Sequence, residues 1–244
     1  LLGKPFEEPP APGDPPAPGE FLPAALPGWG QVTPFVLRVS EQFAPQGPPD
    51  LTSPEYARDY NEVKDLGAKV SLVRTAEQTT IAPFWYEASP TGWNRIARIA
   101  ADLQSLDPWD RARLFALVNV AMADGFIAGF QTKYTLNFWR PITAIRAGDT
   151  DGNDSTVADD VWESLLNTPQ IPDYTSTHSV LGAAAAEVLR RFFDADYFVM
   201  DVQLHHVDLE VYGDVPALGC LRFLPPAEVC GTTERLALLS QANL

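Results

Sequence analysis

The chain has 244 residues, and 45% of them are hydrophobic, which is typical of a globular protein with a buried core. Its formal net charge is −15, and an acidic surface disfavours binding to nucleic acid and to anionic membranes. Composition and charge therefore exclude a disordered chain and a typical nucleic-acid-binding protein. An anionic ligand would need a local basic pocket.

The sequence divides into three regions. Residues 1–50 hold 13 of the 23 prolines, so we expect an extended segment that packs on the core, with a disordered linker as the alternative. We expect residues 51–196 to form a helical domain and residues 197–244 to form an atypical tail. The chain begins with Leu1 and shows no signal-peptide pattern, so we expect an internal fragment. The sequence does not determine the cellular compartment, and a secreted or periplasmic location is one alternative for the intact protein.

Six helical segments follow the proline-rich region, each indicated by apolar residues at helical spacing or by a start signal such as Ser or Asp before Pro. They begin at Ser53, near Thr75, at Asn94, at Asp107, after Pro141 and near His178. We expect the second to be interrupted near Pro83 and the fourth to reach about Phe138. No run of alternating residues before position 196 indicates a strand, so the predicted fold class is all-α, a helical bundle. The apolar run from 114 to 130 is interrupted by polar residues, so we predict a core helix and no membrane span.

Lys133 and Arg140 carry the first candidate binding pattern. They lie seven residues apart, about two turns of a helix, so we expect their side chains to share one face. Two cations on a largely apolar helix are costly unless an anion or carboxylates lie between them. Taken alone, the pattern favours solvent exposure or ion pairing with acids such as Asp124, and the alternative is an anion site.

A second pattern lies at the start of the sixth helix, where hydroxyl residues surround His178. A helix N-terminus presents unpaired backbone N–H groups and the positive end of the helix dipole, and both favour an anion. Ser176 can donate its hydroxyl, and His178 titrates near neutral pH as an acid or a base. The alternative is that residues 175–179 only cap the helix and that His178 is structural.

Together the two patterns resemble the first two signature motifs of the vanadium-dependent haloperoxidase and type-2 phosphatidic acid phosphatase superfamily. The first motif there is Lys, six residues and Arg-Pro, which matches residues 133–141. The second is usually Pro-Ser-Gly-His, and residues 175–178 read Thr-Ser-Thr-His. Further segments resemble the soluble bacterial haloperoxidase-like branch, and the resemblance covers about residues 20–195. These segments are Trp29–Phe35, Ser53–Tyr56, Asn137–Pro141 and Thr143–Arg146.

The resemblance implies an α-helical bundle that holds vanadate, or phosphate at the same site. Lys133 and Arg140 would bind the oxygens of the oxyanion, together with the hydroxyl of Ser176 and the backbone N–H of Thr177, where the family has Gly. His178 would be the catalytic acid–base residue. The implied reaction is oxidation of a halide by hydrogen peroxide. The alternatives are hydrolysis of a phosphate ester by the same residues, and an inactive fragment that binds an oxyanion weakly.

The third motif of the superfamily is absent from the sequence. It consists of Ser-Arg followed six residues later by a His that binds vanadium or attacks phosphate. His205 and His206 are the only histidines after His178, and neither has an Arg six residues before it, although both remain candidates for the metal ligand. We therefore expect that residues from about 197 onward are not the native continuation of the family, for example through a frameshift. We also expect the chain to be a poor catalyst.

Two weaker signals concern calcium and aromatic residues. The segment from Asp149 to Asp154 resembles the start of a calcium loop, but its Gly stands at the wrong position, so we expect a turn and no bound calcium. Phe84, Trp85 and Trp139 would suit a halide or organic-substrate pocket, although an aromatic core is the more common role. We expect no nucleic-acid partner. The sequence does not determine whether the chain forms a homo-oligomer.

Overall fold

The computed structural model describes residues 17–21, 26–194, 197–198 and 221–222. Over these residues the fold is all-α, as predicted, with one short two-stranded antiparallel ladder. The α-helices are α1 (Pro54–Gly67), α2 (Ala76–Tyr86), α3 (Ser89–Leu103), α4 (Pro108–Leu136), α5 (Pro141–Arg146) and α6 (Thr177–Phe193). The 3-10 helices are η1 (Pro27–Gln31) and η2 (Gly148–Thr150). Strand β1 (Tyr197–Phe198) pairs with β2 (Leu221–Arg222), Tyr197 opposite Arg222. His205, His206 and most of the predicted tail lie outside the described residues.

Local start signals explain where the helices begin. The Ser53 side chain caps α1 ahead of Pro54, and Asp107 caps α4 by accepting hydrogen bonds from two backbone N–H groups, both as predicted. Helices α2 and α3 differ from the prediction. Helix α3 begins five residues earlier, at Ser89, because a proline is tolerated in the first helical turn. Helix α2 continues through Pro83, whose burial with its neighbours offsets the lost backbone hydrogen bond.

The main core lies between α3, α4 and α6. Its fully buried residues include Ile96, Leu114, Val118 and Leu189. A smaller second core joins α1 to α5 and contains several aromatic side chains. Its buried members are Tyr56, Tyr60, Trp139, Ala144, Ile145 and Trp162. The first core fixes α4 against α6, which carry the two predicted motifs, and the second fixes the start of α5 beside them.

Helix α4 is long and apolar enough to cross a membrane by length and composition alone. In this fold it is the central helix, and it packs against α3, α6 and η1. It also carries two buried charged residues, Asp124 and Lys133, which both form hydrogen bonds within the fold. The packing agrees with a core helix, because the central helix of a helical bundle has the same apolar composition.

A buried carboxylate holds the segment after η1 on α4. Asp124 is 5% exposed and accepts hydrogen bonds from the backbone N–H groups of residues 35–37 at 2.6, 2.7 and 2.9 Å. Helix η1 lies so close to α4 that a side chain at Gly30 would meet the backbone of Gln131. Because Asp124 binds the N-terminal segment, the predicted alternative of an ion pair with the two cations of the first motif does not hold for this residue.

Candidate oxyanion site

A sharp turn after α4 brings Arg140 back toward Lys133. The helix ends just before Asn137, which adopts a left-handed conformation with φ of 47°. Pro141 then disfavours helical backbone at Arg140, which is extended and precedes α5. The prediction that the two cations share one face of one helix is therefore wrong. They are brought together by the chain reversal and by a shared partner, Asp173.

Lys133 is buried against the chain segment that leads to α6. Its side chain is 1% exposed, and its ammonium group donates hydrogen bonds to the carbonyl oxygens of Pro172, at 2.8 Å, and Asp173. The pKa of Lys133 is lowered to about 7, mainly by burial, with Asp173 raising it and Arg140 adding to the decrease. The charge of Lys133 near neutral pH therefore depends on which anion lies beside it.

Arg140 is buried to the same degree and pairs with one carboxylate. It is 2% exposed, and its Nη1 lies 2.9 Å from Oδ1 of Asp173. Burial lowers the pKa of Arg140, and Asp173 raises it. The backbone N–H of Asp173 donates to the carbonyl oxygen of Phe138 at 2.9 Å, which places the carboxylate next to Arg140. Asp173 thus contacts both basic residues, Arg140 through its carboxylate and Lys133 through its backbone carbonyl oxygen.

The hydroxyl-rich segment forms the start of α6. The Ser176 side chain caps the helix by accepting a hydrogen bond from the backbone N–H of Ser179 at 3.3 Å. Thr177, where the family has Gly, is the first residue of α6 and has no positive φ, so a threonine fits there without backbone strain. Helix α6 packs closely on α4. A Cβ atom at Gly125 of α4 would lie only 3.3 Å from the side chain of Val180 of α6.

Four buried polar atoms around these residues lack a hydrogen-bond partner. They are Nε of Arg140 and the hydroxyl oxygens of Thr175, Thr177 and Ser179. Buried polar groups are almost always paired, so each such atom calls for an explanation. All four groups can donate, and a ligand with acceptor oxygens on several sides would satisfy them. A tetrahedral oxyanion has this chemistry, and the cleft lined by residues 173–176, Ser179 and Val180 leads to the segment.

His178 faces a different cavity from Ser176. Its Nε2 lies 3.0 Å from the carbonyl oxygen of Glu87, so Nε2 carries the hydrogen and Nδ1 is the nitrogen that can accept a proton. Burial lowers the pKa of His178, the Glu87 carbonyl raises it, and Lys133 lowers it further. His178 lines a small cavity with Trp85, Trp93 and other residues. Lys133 is therefore near enough to affect the pKa of His178, but the imidazole does not line the cleft of Ser176.

Two neighbours of the site carry no recognisable sequence signal. Glu87 and Arg95 form a bidentate ion pair at 2.7 and 2.5 Å, with side chains only 12% and 11% exposed. The pair joins Glu87, the residue directly after α2, to α3, and so fixes the Glu87 carbonyl that contacts His178. Asp173 is the third residue that sequence reasoning missed. An acid directly before a hydroxyl-rich helix start was the available signal for it.

The acidic segment predicted as a turn is self-contained. Asp151 is buried, and its carboxylate accepts hydrogen bonds from the backbone N–H of Asn153 at 2.8 Å and from the hydroxyl of Thr156 at 2.9 and 2.7 Å. Within the described residues, no group of three or more His, Cys, Asp or Glu side chains is arranged to hold a metal. These contacts explain the segment as a structural turn.

The predicted aromatic residues belong to three environments. Phe84 is buried in the main core, and Trp85 packs beside it with ring centroids 5.1 Å apart. Trp85 also lines the cavity of His178. Trp139 is buried in the second core and lines a separate cleft beside Asp173.

Comparison with known proteins shows that this chain is similar to vanadium-dependent peroxidases. The family model of the VCPO second helical-bundle domain matches residues 113–225, a range that contains both motifs and continues past residue 196. The chain is 28% identical over 201 residues to vanadium chloroperoxidase from Curvularia inaequalis, a match that covers 69% of this chain and 32% of that protein.

Solved structures give the same result. The crystal structure described as the first bacterial vanadium-dependent iodoperoxidase matches with a TM-score of 0.71 and 31% identity, over 93% of this chain and 54% of that one. A holo-type bacterial vanadium-dependent chloroperoxidase shares the fold, with a TM-score of 0.66 and 18% identity over 92% of this chain and 50% of that one. The chain thus spans about half the length of these structures and about a third of the fungal protein.

Proposed function

Because this chain belongs to the vanadium haloperoxidase family, we propose that it binds vanadate beside Lys133, Arg140 and the start of α6 and supports oxidation of a halide by hydrogen peroxide. One observation carries the proposal. Two basic residues, each at least 98% buried, contact Asp173 beside hydroxyl groups that lack partners. Arg140 pairs with its carboxylate, and Lys133 donates to its backbone carbonyl oxygen. A buried excess of positive charge is costly, and an oxyanion would offset it.

The residues present suit a vanadate or phosphate group. Arg140 and Lys133 supply charge-assisted donors, which bind an oxyanion about twice as strongly as neutral donors do. Ser176 and Thr177 lie at the N-terminal end of α6, where the helix dipole favours negative charge. An oxyanion would replace the backbone carbonyls of Pro172 and Asp173 as a partner of Lys133 and would keep this lysine protonated.

His178 is the candidate acid–base residue of the reaction. When bound, vanadate supplies Lewis-acid activation of hydrogen peroxide. Because burial lowers its pKa, His178 is neutral near pH 7 and can accept a proton at Nδ1. The imidazole lines the cavity of Trp85 and Trp93 and not the cleft of Ser176, so this role requires hydrogen peroxide to reach His178 from that cavity. The Glu87 carbonyl fixes the tautomer by accepting the hydrogen of Nε2, and the Glu87–Arg95 ion pair holds that carbonyl in place.

We propose that turnover by this chain is low. Its sequence has no Ser-Arg followed six residues later by His, so a bound oxyanion would lack one further cation and a coordinating imidazole. Retention of vanadate would then depend on hydrogen bonds and charge alone. His205 and His206 stay candidates for the missing ligand, and they lie outside the described residues.

Steady-state oxidation of iodide and bromide, with and without vanadate, tests the proposal. We expect a slow, vanadate-dependent rate that phosphate inhibits by competition and that His178→Ala and Arg140→Ala both abolish. Arg98→Ala is the matched control, since it removes an exposed arginine from α3 and should leave the rate unchanged. A rate that does not depend on vanadate, or no rate at all, would contradict the proposal.

A second assay separates the two reaction classes of the superfamily. Hydrolysis of 4-nitrophenyl phosphate should be measured on the same samples without vanadate. We expect hydrolysis to be slower than halide oxidation. Faster hydrolysis that is lost in His178→Ala would replace the haloperoxidase proposal with a phosphatase.

A further inference from the structure

A short segment near the start of the chain, residues 17–21, contacts the turn that follows α4. Glu20 pairs with Phe138 in an isolated antiparallel bridge. Beside this bridge, the backbone N–H of Phe21 donates to the carbonyl oxygen of Asn137 at 3.0 Å. The side-chain amide of Asn137 donates in return to the carbonyl oxygen of Phe21, also at 3.0 Å. Segment 17–21 is therefore paired with the turn like a neighbouring strand.

A further hydrogen bond of this segment reaches the residue directly before Arg140. The backbone N–H of Trp139 donates to the carbonyl oxygen of Gly19 at 2.9 Å. On the other side, the carbonyl oxygen of Arg140 accepts hydrogen bonds from two backbone N–H groups of α5, both at 2.9 Å. The backbone from which the guanidinium side chain extends is thus held by α5 and by segment 17–21.

The opposite edge of the turn faces Asp173. In paired extended segments, the backbone groups of successive residues point to opposite edges. Segment 17–21 binds the backbone of residues 137 and 139, and the carbonyl oxygen of Phe138 accepts a hydrogen bond from the N–H of Asp173 at 2.9 Å. The Asp173 carboxylate pairs with Arg140. A displacement of segment 17–21 would therefore move both Arg140 and the acid beside it.

Gly19 is the position at which this contact is most sensitive to substitution. Its φ is 88°, in the left-handed region that favours glycine. A Cβ atom at this position would lie 3.2 Å from the side chain of Leu51, which packs against the second core. A larger residue would strain the turn that presents the Gly19 carbonyl oxygen to Trp139.

We propose that segment 17–21 positions Arg140 for the oxyanion, with Gly19 as a positioning residue that acts through the backbone of Trp139. A donor that is already held in its binding orientation loses less conformational freedom when the anion binds, so the affinity is higher. The inference rests on the proposed function and adds to it a part of the chain outside the two motifs.

Titration calorimetry with phosphate, without vanadate, peroxide or halide, tests the inference apart from the activity. Gly19→Ala should weaken phosphate binding about two- to tenfold, the equivalent of one net hydrogen bond. Gly47→Ala is the matched control and should keep the original affinity. Gly47 also has a positive φ, 128°, but a Cβ atom there would have no neighbour within 4 Å.

A second variant removes a side chain of the same segment and leaves its glycine intact. Phe21 is buried, and Phe21→Ala should weaken phosphate binding in the same direction as Gly19→Ala. Phe43→Ala is its matched control, because Phe43 is 74% exposed, and it should bind phosphate like the unmodified chain.

A double-mutant cycle separates positioning of Arg140 from a general loss of structure. Gly19→Ala should weaken phosphate binding in the unmodified chain but should leave the residual affinity of Arg140→Ala unchanged, because its effect is exerted through Arg140. A purely structural effect would lower the affinity by the same factor on both backgrounds.

Two results would overturn the inference. They are unchanged phosphate affinity in either Gly19→Ala or Phe21→Ala, and an equal loss of affinity with and without Arg140. Both can occur while vanadate-dependent halide oxidation persists. If that oxidation is absent while phosphate binding follows the predicted cycle, the proposed function fails and the positioning role stands.

Discussion

Two clusters of buried charge, around Asp151 and around Arg140, differ in how many of their polar groups have hydrogen-bond partners within the fold. Around Asp151, the donors and acceptors belong to the same turn, and the carboxylate binds Asn153 and Thr156. Around Arg140, the carboxylate of Asp173 pairs with the guanidinium group, and nearby donors remain unpaired. A structural cluster completes its own hydrogen bonds, whereas a ligand site keeps donors that only an external acceptor satisfies.

The largest expected effect is on anion affinity at Arg140. Arg140→Ala should weaken phosphate binding about tenfold to hundredfold, because a charge-assisted hydrogen bond in a shielded site contributes roughly 1.5–3 kcal/mol. Isothermal titration calorimetry with phosphate measures the change. Arg98→Ala, which removes an exposed arginine, serves as the control and should keep the original affinity. Equal affinities in the two variants would remove Arg140 from the site.

The Asp151 cluster should affect stability instead. Asp151→Ala leaves buried donors without their acceptor, which costs about 1–3 kcal/mol in the free energy of unfolding. Arg140→Ala should cost less, since it leaves a partly exposed carboxylate that water can reach. Urea unfolding of both variants compares the two costs. If Arg140→Ala proved the more destabilising, the Arg140–Asp173 pair would be structural, and the two clusters would not differ in role.

A third prediction concerns pH. Because the pKa of Lys133 is about 7 in the folded chain, Lys133 loses its proton as pH rises above this value, and binding of an anion must then restore the proton. Sulfate stays fully deprotonated over this range, so its affinity should fall by up to about tenfold per pH unit from about pH 7 to about pH 9. Titrations at several pH values should show this slope in the unmodified chain and a flat profile in Lys133→Met. A slope that persists in the variant would assign the titration to another group.

The smallest expected effect belongs to Asp173. Asp173→Asn removes the carboxylate that competes with an external anion for Arg140. The rise in phosphate affinity should be smaller than the loss expected for Arg140→Ala, because the guanidinium group that binds the anion is kept. Asp59→Asn is the control, because Asp59 is another acid of the cleft that Trp139 lines, and it should change phosphate affinity little. Weaker phosphate binding in Asp173→Asn would mean that Asp173 positions Arg140 for the ligand.

Local chemistry in the sequence was enough to predict most of the helical fold. Ser53 and Asp107 cap helices where a hydroxyl or carboxylate precedes a proline, and Ser176 caps α6. These predictions succeed because a helix start depends on a few neighbouring residues. The fourth helix was predicted too long, because the left-handed backbone of Asn137 ends it before Phe138.

Contacts between distant residues could not be predicted in the same way. Asp173 reaches Arg140 because its backbone binds Phe138, 35 positions earlier in the chain. The position of His178 depends likewise on the carbonyl of Glu87, which follows the end of α2. Helical spacing describes positions within one helix. It therefore predicted that Lys133 and Arg140 share a helix face, although Arg140 lies beyond the end of α4.

The central claim is that an oxyanion binds beside Lys133, Arg140 and the start of α6. A crystal structure of this chain grown with orthovanadate, and a second with phosphate, would test it most directly. We predict density for a tetrahedral or five-coordinate anion within hydrogen-bond distance of the Lys133 ammonium group, the Arg140 guanidinium group and the Ser176 hydroxyl. An anion bound elsewhere, or a saturated crystal in which Lys133 and Arg140 keep their contacts to residues 172–173 with no anion beside them, would contradict the claim.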